Sequence, residues 1–568
     1  MRIPKLNPLQ SRRQVTSTFG GIDKRSVIED GSWRNTQNVT LDEYPTLKVR
    51  GKRGTILSGG TAVAPTEIVK VDGKLCYIEG SNIHIGSDTY AFARVSGNND
   101  HSIIVMGAYL IILPEYAYFN TSDPNDKGMI ESDLRTSGDV TLTPCDETGD
   151  TTAQIKNYTK VSNSQIDADD FNVGDGIEIY HESGETNIPD NFVGYHVLTA
   201  IDDGYFVYKG APAETTTISA THLSFYISRG VPVVDVIFEC GNRLWGARWG
   251  KDIHNEKFVN EIYASALGDF RNWRIYEGAI STNSYTASVG TGGKFTGGCA
   301  YQGVPTFFKE DAMFRVYGSY PEQYQIQETA CNGVIDEGTT AEWIAGRSLS
   351  IVNNVLYYKS RTGVCAFDGS LPVDIGAVFG KTKYHNAVGG AFGKKYYLSM
   401  ADENNVYHLF VYDTAKGLWI REDNTRVRRF AEVGDELYFI WYDGTNRKLM
   451  TVNGTGEKES GPIEWFAETG ELGLNYQDGR YTYSDIDRKY IERLTIRMRL
   501  GIGSYVSVEI SYNDEEFKTI SRIAGYNLDS FSLPVPVKRC DHFRLRLSGR
   551  GDAQIYSIAK LTQGGSDK

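Results

Sequence analysis

A short motif, in which a turn residue is followed four positions later by a large apolar side chain, occurs seven times along the chain. Around each occurrence, apolar and polar residues alternate as in two short strands joined by a tight turn. Glycine and asparagine tolerate the positive φ of a two-residue hairpin, and the apolar residues suit a half-buried pleated surface. The motif therefore predicts seven β-hairpins, at Gly73–Tyr77, Gly107–Ile111, Gly241–Trp245, Gly303–Phe307, Asn353–Tyr357, Gly393–Tyr397 and Gly434–Tyr438.

The spacing of these hairpins indicates how the strands are organised. Several recur at intervals of about 40 residues, which is the period of β-propeller blades. One interval is much longer, because 134 residues separate Gly107 from Gly241. Removing the 99 residues 130–228 leaves 35, close to the 34 residues between Gly73 and Gly107. We therefore expect an all-β protein: a β-propeller of about seven blades, with a small β-domain inserted after the second blade.

The pattern changes again near the C-terminus, where the alternating strands become longer. In HFRLRLSG, the apolar Phe543, Leu545 and Leu547 alternate with arginines, so one face is predicted to be buried and the other exposed. This predicts a C-terminal β-sandwich. The expected domains are an extended basic arm at 1–56, a first propeller part at 57–129, the inserted β-domain at 130–228, a second propeller part at 229–458 and the sandwich at 459–568.

Charge is distributed unevenly among these domains. The 568 residues carry a net charge of −13, and the insertion alone has 17 acidic and four basic residues. The arm has 11 basic and five acidic residues, and Phe19, Trp33 and Leu47 are expected to anchor it. A neutral scaffold with an acidic insertion is not typical of a general nucleic-acid binder.

Two groups of charged residues are candidate contact surfaces. The arm could touch phosphate or pair with an acidic subunit surface, and its candidate inter-subunit residues are Arg50, Lys52 and Arg53. The insertion offers a candidate acidic lumen or docking surface formed by Asp167, Asp169, Asp170, Asp175 and Glu178. The first three aspartates lack the glycine and terminal glutamate of a calcium loop, so no metal site is predicted there.

Cysteine spacing and hydropathy indicate the compartment in which the protein folds. The seven cysteines have irregular spacing and no CxxC pair, which argues against a disulfide framework. Cys76, Cys240, Cys299 and Cys365 are instead predicted to be small buried hydrophobes. The first residues lack the apolar region of a signal peptide, and no apolar run approaches the ~18 residues that span a bilayer. We expect folding in the cytoplasm of the producing cell.

Enzyme motifs are scarce. The sequence contains no HExxH, GxSxG or P-loop motif. His254 and Glu256 fit a solvated loop better than a ligand pair. Cys540, Asp541 and His542 cannot all converge, because adjacent strand positions point to opposite faces. We predict no catalytic, cofactor-binding or metal-binding residues and no enzymatic activity, although the paired carboxylates of a glycosidase could come from distant strands.

Two stretches resemble a known protein family. Residues 19–55, FGGIDKRSVIEDGSWRNTQNVTLDEYPTLKVRGKRGT, are similar to the start of tail hub and nozzle proteins of short-tailed bacteriophages. The matching positions are Gly20, Gly21, Asn38, Asp42, Pro45, Leu47, Arg50 and Gly54. Residues 530–560, SFSLPVPVKRCDHFRLRLSGRGDAQIYSIAK, are similar to the end of structural proteins encoded in phages and prophages of Gram-positive bacteria.

This resemblance implies a structural protein of the virion tail, assembled in the host cytoplasm. It implies a homo-oligomeric ring, a hexamer, that extends the DNA channel below the portal and adaptor and anchors fibre or needle proteins. DNA would pass without sequence-specific binding, no membrane would be entered, and an acidic domain facing the lumen would repel the DNA. The alternative is a carbohydrate-binding host-attachment protein, and a glycoside hydrolase ranks third.

Overall fold

The fold is all-β, as predicted. The structure is a computed structural model that describes residues 11–26, 28–58, 64–96, 100–181, 188–189, 192–212, 214–219, 225–251, 258–273, 283–337, 346–472, 475–477, 480–482 and 488–564. Their regular structure consists of strands and two short 3-10 helices, Pro321–Gln323 and Ala377–Phe379. The chain divides into two compact units, Met1–Leu75 with Ser350–Lys359 and Gly363–Lys568, and Cys76–Leu349 with Ser360–Thr362.

The segment predicted as an extended arm contains strands of its own. They are β1 (Ser11–Thr16), β2 (Trp33–Gln37), β3 (Val39–Thr40), β4 (Leu47–Val49) and β5 (Gly54–Leu57). Phe19, Trp33 and Leu47 are each 1% exposed, which confirms them as the anchors of this segment.

All seven predicted hairpins are present, and each joins the first two strands of a sheet. Their turn residues all have φ between 49° and 75°, as the glycine and asparagine signals require. The first two sheets have the orders β6-β7-β8-β9 and β10-β11-β12-β13. Their strands are β6 (Pro65–Val71), β7 (Lys74–Glu79), β8 (Asn82–Ile85), β9 (Asp88–Ala91), β10 (Ser102–Met106), β11 (Tyr109–Leu113), β12 (Ala117–Asn120) and β13 (Lys127–Met129).

The acidic insertion forms one sheet of eight strands. They are β14 (Ser132–Arg135), β15 (Val140–Cys145), β16 (Tyr158–Ser162), β17 (Gly176–His181), β18 (Gly194–Asp202), β19 (Tyr205–Lys209), β20 (Thr216–Ile218) and β21 (Phe225–Arg229). Their order in the sheet is β14-β21-β17-β18-β19-β16-β15-β20. The sheet encloses its own hydrophobic core, which includes Leu142, Phe171, Phe192 and Phe206.

Two more four-stranded sheets follow the insertion, in the orders β22-β23-β24-β25 and β26-β27-β28-β29. Their strands are β22 (Val236–Glu239), β23 (Leu244–Lys251), β24 (Phe258–Ala264), β25 (Tyr285–Ser288), β26 (Gly297–Tyr301), β27 (Val304–Lys309), β28 (Ala312–Tyr317) and β29 (Gln325–Ala330). Both sheets contribute to one aromatic core, in which Phe238 and Phe307 lie 5.0 Å apart between ring centroids.

The last three hairpins also begin sheets. Two are four-stranded, β30-β31-β32-β33 and β34-β35-β36-β37, and the third has the order β38-β39-β40-β5-β41. The strands are β30 (Ser350–Val352), β31 (Val355–Lys359), β32 (Val364–Phe367), β33 (Val373–Asp374), β34 (His385–Phe392), β35 (Lys395–Ala401), β36 (Tyr407–Asp413), β37 (Leu418–Asp423), β38 (Val427–Val433), β39 (Glu436–Tyr442), β40 (Arg447–Thr451) and β41 (Glu457–Lys458). The third sheet therefore takes β5 from the N-terminal segment.

The C-terminal strands form a sandwich, together with strands of the N-terminal segment. They are β42 (Glu464–Thr469), β43 (Asn475–Gln477), β44 (Arg480–Thr482), β45 (Lys489–Leu500), β46 (Ser504–Tyr512), β47 (Lys518–Gly525), β48 (Leu528–Leu533), β49 (Arg539–Cys540), β50 (Phe543–Arg550) and β51 (Ala553–Gly564). One sheet has the order β3-β4-β51-β45-β48, with β1 on β51 and β49 on β45, and the other has the order β2-β42-β50-β46-β47. The strands β43 and β44 pair with each other.

The sandwich core follows the predicted alternation. Phe543, Leu545 and Leu547 are at most 1% exposed, and they pack with residues of β45 and β46. The same core takes in Trp33 and Leu47 of the N-terminal segment. The sandwich is therefore completed by residues from the beginning of the chain, which the local pattern of the C-terminal sequence does not reveal.

Candidate functional sites

The residues that match the phage motif hold the N-terminal segment in the fold. A Cβ added to Gly21 would lie 2.1 Å from the carbonyl oxygen of Trp419, and one added to Gly54 would lie 1.8 Å from that of Thr455. Asn38 has a φ of 58°, and its side-chain amide donates to the first carbonyl of β42 at 2.7 Å. The motif residues thus have structural roles that tie this segment to distant strands of its own unit.

Arg50 is one of these motif residues, and its guanidinium is fully engaged. Nη1 and Nη2 bind the two carboxylate oxygens of Glu459 at 2.8 and 3.1 Å. Nε donates to the side-chain oxygen of Asn38 at 2.8 Å. Such a bidentate pair combines charge with fixed geometry. Arg50 therefore joins the N-terminal segment to the residues that precede the sandwich.

Arg53 lies at the centre of a buried charge cluster and is 3% exposed. Nη2 binds Glu422 at 2.8 Å, while Nη1 binds Asp423 at 2.6 Å and Thr425 at 2.6 Å. Burial alone would raise the pKa of the Asp423 carboxyl, but the charges of Arg53 and Arg50 outweigh it and hold this pKa below its ordinary value. The cluster thus keeps charged groups paired inside the unit.

A polar cavity of about 590 Å³ opens beside this cluster. Its walls carry further ion pairs, between Lys395 and Asp42 and between Lys416 and Asp413, the latter at 2.6 Å. Burial opposes ionisation of Asp42, yet Lys395 lowers the pKa of this carboxyl. Carboxylates held ionised by neighbouring cations can accept hydrogen bonds from a polar ligand, and they are poor proton donors.

The candidate arm residues thus occupy different environments. Arg50 and Arg53 are paired within their own chain, whereas Lys52 is exposed. The sequence did not predict this burial, because the acidic partners of Arg53 lie about 370 residues away along the chain. A contact of this segment with a neighbouring subunit stays a prediction.

The five acidic residues proposed for a lumen or docking surface do not form one surface. Asp167, Asp169 and Asp170 are exposed in a loop between β16 and β17, and Glu178 is half-buried. Burial and the two neighbouring aspartates raise the pKa of Asp170. Asp175 is 1% exposed and paired with the buried Arg229, so it lies in the interior. The prediction that it belongs to this surface is wrong. A lumen or docking role for the exposed loop stays a prediction.

The other sequence candidates behave as structural residues or fall outside the described ranges. Cys540 is buried, its thiol donates to the carbonyl of Lys489 at 3.7 Å, and burial raises its pKa to about 11. Cys76, Cys240 and Cys365 are also buried, as predicted, whereas Cys299 is partly exposed. His254 and Glu256 lie outside the described residues.

A second cavity, of about 570 Å³, lies at one end of the sandwich. It is formed by the turn between β45 and β46 and the turn between β47 and β48. Ile502 and Tyr526 are 94% and 72% exposed there. The guanidinium of Arg522 lies 3.8 Å from the ring centroid of Tyr505, so both side chains are held in a defined stack. We call these four residues the tip pocket.

The tip pocket arises from the register of two strands. Tyr505 pairs with Ala524 and Ser507 pairs with Arg522, which places the tyrosine and the arginine on the same face. Sequence reasoning missed this pocket. The available signal was a tyrosine in the turn between two strands, Gly525-Tyr526-Asn527, where a polar residue is more usual.

Among known proteins, the chain is similar to several solved structures. No family model and no curated protein matches it. Similar solved structures include an exo-β-1,3-galactanase from Phanerochaete chrysosporium, with 10% identity, a TM-score of 0.21, and coverage of 58% of this chain and 96% of the galactanase. Kluyveromyces lactis Hsv2 has 9% identity, a TM-score of 0.24, and coverage of 74% of this chain and 98% of its own.

A third similar structure is a glycoside hydrolase family 43 arabinoxylan arabinofuranohydrolase from Bacillus subtilis. It has 9% identity, a TM-score of 0.18, and coverage of 58% of this chain and 95% of the hydrolase. The recurrence of glycoside hydrolases among these structures contradicts the prediction that the chain is not an enzyme, and that prediction is withdrawn. TM-scores near 0.2 assign no activity to this chain.

Across the described ranges, no helix has the length and apolar character that crossing a membrane requires.

Proposed function

We propose that the protein binds carbohydrate and that the tip pocket is its binding site. The observation that carries this proposal is the group of exposed side chains around that pocket, with Tyr526 at 72% exposure. Exposed apolar groups that line a concave surface are characteristic of interaction sites. Loops at the ends of β-sandwiches are common positions for such sites.

The chemistry of the tip pocket suits a sugar ring. A pyranose has an apolar face of C–H groups and a rim of hydroxyls. The ring of Tyr526 can cover the apolar face, because aromatic side chains supply large contact areas at low entropic cost. The guanidinium of Arg522 offers donors that hydroxyl oxygens accept. The stack of Arg522 on Tyr505 orders both groups before any ligand arrives.

A screen of purified full-length protein on a glycan array tests this proposal. We expect binding to at least one class of glycan, and we expect Tyr526→Ala to reduce the signal for that class. Tyr317→Ala is the control, because Tyr317 is another exposed tyrosine, at 37%, and it lies on β28, outside the tip pocket. An array without any bound glycan, or equal losses in both variants, would contradict the proposal. A reducing-sugar assay in the same sample tests whether the protein also cleaves the bound glycan.

For the scaffold, we infer that the seven repeated sheets are the blades of a propeller. Six of them are four-stranded meanders in sequence order, and the seventh combines β38, β39 and β40 with β5. Thus one sheet unites strands from the beginning and the end of the repeat, an arrangement that suits closure of a circular array. Small-angle scattering of the full chain tests this, since a ring-shaped disc and an open row of sheets give different distance distributions.

A second candidate function is that of a structural ring in a phage tail. The specific observation in its favour is the fit of the motif residues, since Gly21, Asn38, Arg50 and Gly54 each occupy a position that demands that residue type. In that setting the partners would be further copies, adaptor and fibre proteins, and passing DNA. Negative-stain microscopy of the purified chain tests it: rings of several copies would support the proposal, and a uniform monomer would contradict it.

A further inference from the structure

Three side chains of metal-binding type meet at the other end of the sandwich. They are Glu471, Asp514 and His542, and one ligand atom of each lies within 4.8 Å of the other two. No metal ligand is predicted there from the sequence, because the three residues are far apart along the chain. Ligands at about 2.1 Å from one ion are at most about 4.2 Å apart, so a small rotation of the side chains would close the set.

The backbone fixes the three segments that carry these residues. The amide of Leu472 donates to the carbonyl of Phe543 at 2.8 Å, which joins the segments of Glu471 and His542. The amide of Asn513 donates to the carbonyl of His542 at 3.2 Å. These bonds hold the ligand-bearing segments together without any ion.

The imidazole of His542 is oriented towards the two carboxylates. Nδ1 lies 2.8 Å from Oδ1 of Asp541, and the same oxygen accepts a hydrogen bond from the backbone amide of His542 at 2.7 Å. Nε2 is buried, makes no hydrogen bond and lies 3.3 Å from Oδ2 of Asp514. A carboxylate beside the second nitrogen of a histidine is a common arrangement around protein-bound metals.

The second oxygen of Asp514 is already occupied. Nη2 of Arg544 lies 3.2 Å from Oδ1 of Asp514, and Nη1 of the same arginine binds Glu468 at 3.1 Å. The arginine therefore turns Oδ2 of Asp514 towards His542. Its positive charge opposes a cation, and Glu468, which also pairs with Arg546 at 2.9 Å, offsets part of this charge.

We propose that Glu471, Asp514 and His542 bind a divalent transition-metal ion such as Zn²⁺. One imidazole nitrogen and two carboxylate oxygens form a ligand set that suits Zn²⁺ and its neighbours in the first row. Three protein ligands leave at least one position for water or for an exogenous ligand. The ion would clip together the segment after β42, the β46–β47 turn and the start of β50.

This site is separate from the tip pocket. The nine residues of β46 run from one to the other, which corresponds to about 30 Å at 3.3 Å per residue. The metal proposal therefore does not depend on carbohydrate binding.

The test uses the full-length protein, stripped with a chelator, dialysed and titrated with Zn²⁺ against a chromophoric competitor. We expect one ion per chain for the wild type, and at least tenfold weaker binding for His542→Gln and for Asp514→Asn. His84→Gln is the control, because Nε2 of His84 faces Glu79 at 3.4 Å in another part of the chain, outside the three-residue cluster. Wild-type protein that binds no Zn²⁺, or His542→Gln that binds it as tightly as the wild type, would overturn the proposal.

Asp541→Asn separates a metal site from a merely structural cluster. Because the Asp541 carboxylate lies against Nδ1 and the backbone amide of His542 and is outside the three-residue cluster, it acts as a positioning residue, and its loss should weaken Zn²⁺ binding about 10- to 100-fold. The thermal midpoint without metal should change little, and the rise in midpoint on adding Zn²⁺ should shrink. An unchanged Zn²⁺ affinity in this variant would count against the assigned histidine orientation and so against the site.

Discussion

The buried arginine Arg53 is the residue on which the charge cluster of the N-terminal segment depends. Its guanidinium pairs with Glu422 and Asp423, and all three are at most 7% exposed. A buried ion pair costs desolvation, so its presence adds little net stability, but removal of one partner leaves an uncompensated charge. Removal of Arg53 should therefore destabilise the fold by more than the intact ion pairs stabilise it.

Arg53→Ala should accordingly lower the free energy of unfolding by about 3–5 kcal/mol. The measurement is urea denaturation of the variant and the wild type. Arg361→Ala is the control, because Arg361 forms an exposed pair with Asp311 at 3.1 Å, and such pairs contribute about 0–1 kcal/mol. Similar losses in both variants would show that the buried cluster has no special role.

The same cluster predicts a pH dependence. The folded-state pKa of Asp423 lies below its ordinary value of 3.8, so its ionised form contributes stability above about pH 4. That contribution is lost as the pH falls through the folded-state pKa. In Asp423→Asn, the urea midpoint should therefore fall less steeply between pH 5 and pH 2 than in the wild type. The difference corresponds to the uptake of about one proton fewer on unfolding. Parallel declines would contradict the assigned pairing.

At the level of elements, the hairpins were predictable and the N-terminal segment was not. The turn residues Asn353 and Gly434 carry their φ preference within a few residues, so the sequence alone locates them. The strand β5 pairs with β40, about 400 residues later, and its short sequence GTIL carries no sign of that partner. This segment was expected to be an extended arm. Its non-local strand pairing instead makes it part of the sandwich and of the sheet that begins with β38.

The candidate sites also include features that the local sequence predicts and features that depend on distant strands. Enzyme motifs and charge blocks can be read from the sequence, but the tip pocket depends on which residues of β46 and β47 face each other. Asp175 was predicted to belong to an acidic surface because it lies in the acidic insertion, yet the pairing with Arg229 places it inside. Local composition does not distinguish these environments, since each is set by a partner on a distant strand.

Gly21 and Gly54 of the N-terminal segment should tolerate substitution by alanine far less well than Gly51. Gly21→Ala and Gly54→Ala would each place a Cβ about 2 Å from a backbone carbonyl oxygen, which forces the main chain apart. We expect each to lower the thermal midpoint by several degrees. Gly51→Ala meets nothing within 4 Å and should change it little, and equal effects at all three positions would contradict the described packing.

At the scale of the whole molecule, a repeated β-scaffold carries appended parts with distinct chemistry. The excess of acidic residues lies entirely in the insertion, and the exposed aromatic group of the tip pocket lies on the sandwich. Such a division, with rigid sheets supporting loops that bind ligands, is common among β-proteins. We therefore place the proposed carbohydrate contact on the sandwich rather than on the repeated sheets.

The most direct test of this central claim is a calorimetric titration of the best glycan from the array into three proteins: the wild type, Tyr526→Ala and Tyr317→Ala. An aromatic anchor that contributes about 1.4 kcal/mol or more corresponds to at least tenfold weaker binding when it is removed. We predict that loss for Tyr526→Ala and an unchanged affinity for Tyr317→Ala. Equal affinities for the wild type and Tyr526→Ala would contradict the assignment of the tip pocket as the carbohydrate site.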